Sequence, residues 1–315
     1  MKKTVLAVIG VLCFLLSSCA SMGNGGVDMF FYNRIIAMSN RAIRRNPNDA
    51  AAYRSRGNAY YMKGDYDQAI ADYNQAIRLD PNNVEAYNNR GSAYDTKGDY
   101  DQAIADFNQA ISLDPNYAIA YNNRGSAYDK KGDYDKAIAD CSQAIRLDPN
   151  DASAYINRGS AYNMKGDYDK VIADCSQAIR LDPNIAAAYA NRGYAYYMKG
   201  DYDRAITDYN QATRLDPNNV IAYTNRGSVY NMKGDYDRAI ADYNQAIRLD
   251  PNNVEAYNNR GYAYYMKGDY DKAIADCGQA ISLDPDDAIA YNNRGYAYYM
   301  KGDYDRAIAD YGQAI

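Results

Sequence analysis

Histidine is absent from all 315 residues. That removes the commonest general base, the usual zinc ligand and every Ser-His or Cys-His pairing at once. Tryptophan is also absent, and phenylalanine occurs only 4 times. The 5 cysteines show no CxxC or other metal-like spacing. Charge of one sign is not concentrated anywhere: 35 Lys and Arg against 40 Asp and Glu give a net charge of −5, with no basic run or arm. Nucleic acid is therefore a poor partner. The longest apolar run, residues 5–16, is too short to cross a bilayer as a stable helix.

What the chain has in excess is tyrosine, 37 residues, a side chain suited to half-buried helix faces because it joins apolar area to a polar tip. The apolar fraction of 47% and charged fraction of 24% are those of an ordinary globular protein. Length alone suggests about two domains. A strict internal period overrides that expectation.

The 8 prolines fall 34 residues apart, from Pro47 and Pro81 on to Pro251 and Pro285. A glycine series from Gly57 to Gly295 keeps the same step, as do Lys-Gly-Asp-Tyr-Asp turns from Lys63 to Lys301. Each unit is counted here from the third residue after its proline. The second unit then places Tyr87 at position 4, Gly91 at 8, Tyr94 at 11, Ala103 at 20, Phe107 at 24, Ala110 at 27 and Pro115 at 32. This pattern resembles the tetratricopeptide repeat over residues 50–315. Departures are few. Position 7, leucine in the family, is arginine in every unit from Arg56 to Arg294; position 20 is Val171 in the fourth; position 24 is Cys141, Cys175 or Cys277 in three.

The resemblance implies an all-α fold, an α-α superhelix or solenoid of seven complete repeats and one incomplete repeat, each a helix-turn-helix. The repeats occupy 50–83, 84–117, 118–151, 152–185, 186–219, 220–253, 254–287 and, incomplete, 288–315. Residues 29–47 fit the register of a second helix and read as an N-terminal half-repeat that caps the first unit. The end of the sequence at position 28 of the eighth unit reads as a fragment or as a face awaiting a partner.

Physical chemistry gives the same reading. Positions 4, 8 and 11 lie within about 60° on a helical wheel, so helix A carries one buried stripe, with glycine at 8 admitting helix B. The Gly-Asp of each turn ends one helix with a left-handed cap and starts the next with a carboxylate cap. Ala103, Ile104, Phe107, Ala110, Ile111 and Leu113 give helix B an apolar face, and Pro115 stops it. The "NN" or "ND" after most prolines caps the following helix A. One hairpin cannot bury its faces alone, whereas stacked neighbours can.

The first residues belong to another pattern. Lys2 and Lys3 precede the apolar run, as in a secretory signal peptide at 1–18, and Leu16-Ser17-Ser18-Cys19 resembles the lipobox of bacterial lipoproteins. In that family the chain is cut before the cysteine, and Cys19 is then acylated; ordinary cleavage after Ala20 is the other reading. Two or more acyl chains hold a protein to a membrane, where one binds only marginally. Ala20 and Ser21 follow the cysteine, and the absence of aspartate in the second position resembles the outer-membrane class; a soluble secreted or periplasmic protein is the alternative. Cleavage before Cys19 removes two lysines and leaves 33 basic against 40 acidic residues, a net −7. Residues 19–28, containing "SMGNGG", read as a flexible tether.

Two sets of residues are candidates for binding. In this family positions 9 and 12 of helix A line a concave groove, about 70–140° from the packing stripe on the wheel. Tyr194 and Tyr197, Tyr262 and Tyr265, and Tyr296 and Tyr299 hold these places, with Tyr61 in the first unit. Ser92, Asp95, Ser126 and Asp129 replace them earlier in the chain, and Ser228 and Asn231 in the sixth unit. Position 6 is asparagine from the second unit on: Asn89, Asn123, Asn157, Asn191, Asn225, Asn259 and Asn293. This series resembles the asparagine ladder of the repeats in O-GlcNAc transferase, whose amides hold a peptide backbone. A primary amide offers an acceptor and two donors, matching a peptide bond. Bonding of the same amides to a neighbouring helix is the alternative. Position 5 has no lysine, which disfavours a carboxylate clamp.

The remaining polar positions read as structural. The arginine at position 7 is expected to pair with an aspartate at position 23 or 31. Asp99 and Asp101, at the start of a helix, are expected to serve its dipole rather than catalysis. The three cysteines at position 24, about 10 Å apart between adjacent repeats, are expected to be buried free thiols. No catalytic residue, metal or cofactor is expected. The sequence therefore predicts a non-catalytic scaffold, lipid-anchored in a bacterial envelope, that binds a protein or extended peptide and no small-molecule substrate. The alternative is a docking or regulatory arm of a larger enzyme or assembly machine.

Overall fold

The computed structural model describes residues 25–314, with side chains from residue 29. Among the described residues there are 17 helices and no strand. The chain divides into two compact units, Met1–Asn116 and Tyr117–Ile315. The first holds α1 (Gly25–Arg45), then repeat 1 as α2 (Ala50–Met62) and α3 (Tyr66–Leu79), then repeat 2 as α4 (Val84–Lys97) and α5 (Tyr100–Leu113). The second unit holds repeats 3 to 8 as helix pairs A and B, from Ala118–Lys130 with Tyr134–Leu147 to Ala288–Met300 with Tyr304–Gln313. The expected signal peptide, Cys19 and most of the expected tether lie outside the described residues. Helix α1 begins at Gly25, four residues before the expected half-repeat at 29. Glycine costs little at the first helical turn, whose N–H groups have no intrahelical partner.

Every turn takes the left-handed glycine its sequence demands, but the expected carboxylate cap forms in five of the eight: Asp99, Asp167 and Asp269 stand at the start of helix B without a side-chain bond. Gly64 adopts φ 79°, and its seven equivalents are left-handed too. Past Gly64 the Asp65 amide reaches back to the Tyr60 carbonyl at 2.9 Å, closing the helix in a Schellman arrangement. The Asp65 side chain then accepts from the Gln68 amide and caps helix B, as do Asp133, Asp201, Asp235 and Asp303 in their repeats. Asp49, Asn83, Asp151, Asn219, Asn253 and Asp287 cap the A helices; Tyr117 and Ile185 stand in the same place without a side-chain bond.

The buried stripe of helix A differs from the expected 4-8-11 line. Ala at position 3, Gly at 8 and Ala or Val at 10 are the buried positions, while the tyrosines at 4 and 11 are half-buried, Tyr230 excepted. The close approach of two helices leaves room for small side chains only, so the rings move to the rims and meet cations. Arg192 lies 5.7 Å from the Tyr189 ring centroid, and Arg204 lies 4.5 Å from that of Tyr196. Helix B contributes Ala (Val171 in the fourth repeat) at position 20 to the core and, in repeats 1 to 7, the residue at 24 and Ala at 27.

The arginine at position 7 is the rung expected from the sequence, and the aspartate at position 23 is its partner. Arg192 donates to Asp208 through Nε and Nη2, both at 2.8 Å, and through Nη1 to Ser176 of the preceding repeat at 3.0 Å. All eight repeats pair these two positions. A second set of bridges was not anticipated. The lysine at position 14 of a repeat reaches the aspartate at position 18 of the one before, as Lys97 to Asp67 and Lys233 to Asp203. These pairs are exposed and contribute little.

Candidate binding face on the A helices

With positions 3, 8 and 10 turned inward, positions 2, 6, 9 and 13 fall within about 60° of one another on the far side of helix A. Positions 5 and 12 flank them. The large hydrophobic side chains exposed in the second unit concentrate here. Met164, Met198, Met232, Met266 and Met300 occupy position 13 in five consecutive repeats; Ile119, Ile221 and Ile289 occupy position 2; Tyr262, Tyr296 and Tyr299 occupy 9 and 12. Among the described residues of that unit, only Tyr304 and Ile308 on the last helix B are exposed hydrophobics elsewhere. The methionine row was missed in the sequence because "MKG" reads as the lead-in to a turn. Its signal was the 34-residue recurrence from Met164 to Met300 of an apolar residue two places before a glycine cap.

The groove tyrosines divide into two clusters. Tyr194 and Tyr197, 6.4 Å apart between centroids, are half-buried against the core of repeats 5 and 6. Tyr262, Tyr265 and Tyr296 form a chain with centroids 6.4 and 6.1 Å apart, and Tyr296 continues it to Tyr311 at 5.6 Å. Repeat 6 interrupts the rings: Asn231 donates to the hydroxyl of Tyr243 at 3.0 Å, and Ser228 lies 3.3 Å from it.

The asparagines of position 6 are half-buried, and several already serve the fold. Asn89 donates to Asn58 at 3.0 Å, Asn157 to Asn122 at 2.9 Å and Asn259 to Ser228 at 3.5 Å, each on the preceding helix A. Asn225 lies close enough to affect the buried Tyr209 hydroxyl, whose pKa burial raises, but outside hydrogen-bonding geometry. Among the described residues Asn191 and Asn293 make no side-chain hydrogen bond, which leaves their amides free for a ligand. Asn123 has partners of its own. Position 5, read in the sequence only for its lack of lysine, is a second polar row. Asn122, Thr224 and Asn258 are buried there, and Asn258 donates to Asp287, the cap of the next helix A.

At position 12, Asp129 accepts from Ser160 at 2.9 Å through one oxygen, while the other is buried without a partner. Burial raises the pKa of this carboxyl, and the Ser160 hydroxyl partly offsets the shift. Asn163 and Asn231 likewise each bury a carbonyl oxygen with no donor. These three acceptors, all at position 12, are polar atoms that the packing of the A helices leaves unsatisfied.

Cys141, Cys175 and Cys277 are buried free thiols, as expected, and burial pushes each up to about 12. They are inert packing residues. Among the described residues no group of three or more Cys, Asp or Glu has metal-holding geometry, and no helix is long and apolar enough to cross a membrane.

Comparison with known proteins agrees with this architecture. A sequence model described as TPR repeat matches residues 57–98, 193–234, 227–268 and 261–302. Others described as Tetratricopeptide repeat match 88–152, 152–185, 39–71 and 175–207. No curated protein matches the sequence. Among solved structures, the chain is similar to the APC/C hetero-tetramer Cut9-Hcn1, with a TM-score of 0.70 and 18% identity over 85% of this chain. It spans only 54% of that chain. It is also similar to a tetratricopeptide repeat protein from Parabacteroides merdae, with a TM-score of 0.60, 21% identity, and coverage of 79% of this chain and 98% of that one. MamA is 32% identical over 53% of this chain and 92% of its own, with a TM-score of 0.46. At these identities the first two likenesses bear on the fold alone. Taken together, the sequence models cover residues 39–302 with one kind of unit, and the chain belongs to the tetratricopeptide repeat family.

Proposed function

We propose that the chain is a non-catalytic interaction scaffold, held to the outer membrane of a bacterial cell through acyl chains on Cys19. It takes an extended peptide or a partner protein across the outward faces of its A helices. The observation that carries the binding reading is the segregation of exposed Ile, Met and Tyr onto one face of the A helices in repeats 3 to 8. Scattered apolar residues need no explanation, but an aligned set marks an interaction surface. Methionine suits such a surface because its flexible thioether adapts to the ligand. The anchoring reading rests on residues 16–19 and the charged, apolar segment before them.

The binding face is tested by Met232→Lys/Met266→Lys. Lys130 already holds position 13 in repeat 3, so the helix tolerates the charge. Partners captured from envelope extract by the wild type should be lost by this variant while its helical circular dichroism is unchanged. Retention of every partner at wild-type level would refute the face. Cys19→Ser should shift the protein to the soluble fraction, and unchanged membrane retention would refute the anchor.

A further inference from the structure

The A-helix face of repeats 7 and 8 has a spacing and a charge pattern that select one ligand conformation. Adjacent A helices of the second unit touch one another, which sets their axes about 8–10 Å apart. Tyr265 and Tyr296 bridge the two helices with ring centroids 6.1 Å apart, and Tyr262 and Tyr299 extend the aromatic surface on either side. A polyproline II helix has three residues per turn and rises about 3.1 Å per residue, so one side returns about every 9.3 Å. One turn of such a ligand therefore advances it by one repeat. A β-strand, whose sides return about every 6.6 Å, falls out of step at the second repeat.

The polar chemistry points the same way. A polyproline II backbone has no internal hydrogen bonds, and its prolines have no N–H, so the carbonyls it turns from water toward the protein take donors there. The exposed tyrosine hydroxyls and the free Asn293 amide are donors on this face. An amphipathic helix satisfies its own backbone and leaves these groups unused. Across positions 2, 5, 6, 9, 12 and 13 of repeats 4 to 8 the one charged residue is Glu255. It is exposed, and its charge reaches Tyr197 and Tyr243 on the side of the earlier repeats.

We propose that repeats 7 and 8 bind an otherwise uncharged proline-rich segment in the polyproline II conformation, with a single basic residue set against Glu255. The proposal rests on the reading that the A helices are the ligand face. Prolines stack on Tyr265 and Tyr296, while Met266 and Met300 form adaptable apolar walls.

The chain supplies its own controls. Repeat 4 pairs Cys175 with Ser160 and Asn163, and repeat 6 pairs Tyr243 with Ser228 and Asn231. Tyr262→Ser/Tyr265→Asn therefore rewrites repeat 7, which carries Cys277, as repeat 4. Tyr296→Ser/Tyr299→Asn rewrites repeat 8, which carries Tyr311, as repeat 6. All four substitutions combined should leave the fold intact. The probe is a synthetic peptide of Pro-Pro-Ala triplets with one terminal lysine, titrated calorimetrically into the full chain. Wild type should bind it, and the fourfold variant should bind it on the order of tenfold more weakly or worse. Glu255→Gln should weaken the lysine-bearing probe alone, by a margin that shrinks as salt rises. Equal affinity for a proline-free peptide of the same length and charge would overturn the proposal. So would unchanged affinity in the fourfold variant, stronger binding of a helical amphipathic peptide, or of a chitin oligosaccharide, at the same tyrosines. If the probe fails while Met232→Lys/Met266→Lys still loses its partners, the ligand class falls and the binding face stands. If that variant also keeps its partners, both fall.

Discussion

Replacing glycine by alanine at two equivalent places should have unequal effects on stability. A Cβ built on Gly227 lies 2.7 Å from Cε1, 2.9 Å from Cζ and 3.0 Å from Cδ1 of Tyr243. That ring is fully buried, and its hydroxyl is held by Ser228 and Asn231, so it has nowhere to swing. Gly227→Ala is an overpacking change with an expected cost of about 1–3 kcal/mol. At Gly159 the new Cβ meets only the Cys175 sulfur at 3.3 Å and the Asp174 Cβ at 3.8 Å. A shift of a few tenths of an ångström accommodates it, and alanine gains about 0.5–1 kcal/mol over glycine inside a helix. Gly159→Ala should therefore be neutral to slightly stabilising. Repeat arrays do not always unfold in one step, so a bulk midpoint is best paired with a local measurement. Urea unfolding followed by circular dichroism gives the sign. Amide hydrogen exchange should show faster opening confined to repeat 6 and its neighbours in Gly227→Ala. Equal destabilisation by both substitutions, or none by Gly227→Ala, would refute the argument that ring contact at position 8 sets the approach of the two helices.

Other consequences can be measured directly. Asp208→Ala leaves the Arg192 guanidinium half-buried and uncompensated and should cost about 3–5 kcal/mol, whereas Arg192→Leu/Asp208→Leu should recover most of that loss in a double-mutant cycle. A thiol reagent at pH 8 should label Cys141, Cys175 and Cys277 slowly in the native protein and fast after denaturation; rapid native labelling would contradict their burial. The same thiols link stability to alkaline pH. Their folded pKa of about 12 lies above the ordinary thiol value of 9.0, so the fold favours the protonated form. Their contribution is complete below about pH 9 and is lost as pH rises toward 12, and buried Tyr73, Tyr209 and Tyr243, also raised by burial, act in the same sense. Helicity should therefore fall cooperatively across that window, and a flat signal to pH 12 would refute the linkage.

The period of 34, with proline closing each unit and Gly-Asp at each turn, determined the helical hairpins, their ends and the all-α class. These features are local, because a left-handed glycine, a carboxylate cap and a proline stop act within a few residues of chain. The rung from Arg192 to Asp208 and its equivalents was legible too, since helix geometry brings positions 16 apart in sequence across one hairpin. The tertiary structure decided what the chain could not state about itself. A wheel drawn on hydrophobicity puts the tyrosines of positions 4 and 11 in the core, yet interhelical distance admits only small side chains there and sends rings such as Tyr189 and Tyr196 to the rim. It alone divided the asparagines of position 6 into those tied to a neighbouring helix, such as Asn157, and those left free, such as Asn191 and Asn293. It also lined up Met164 to Met300 with Ile221, Ile289 and the tyrosines of repeats 7 and 8, residues whose common face exists only once the A helices stand side by side.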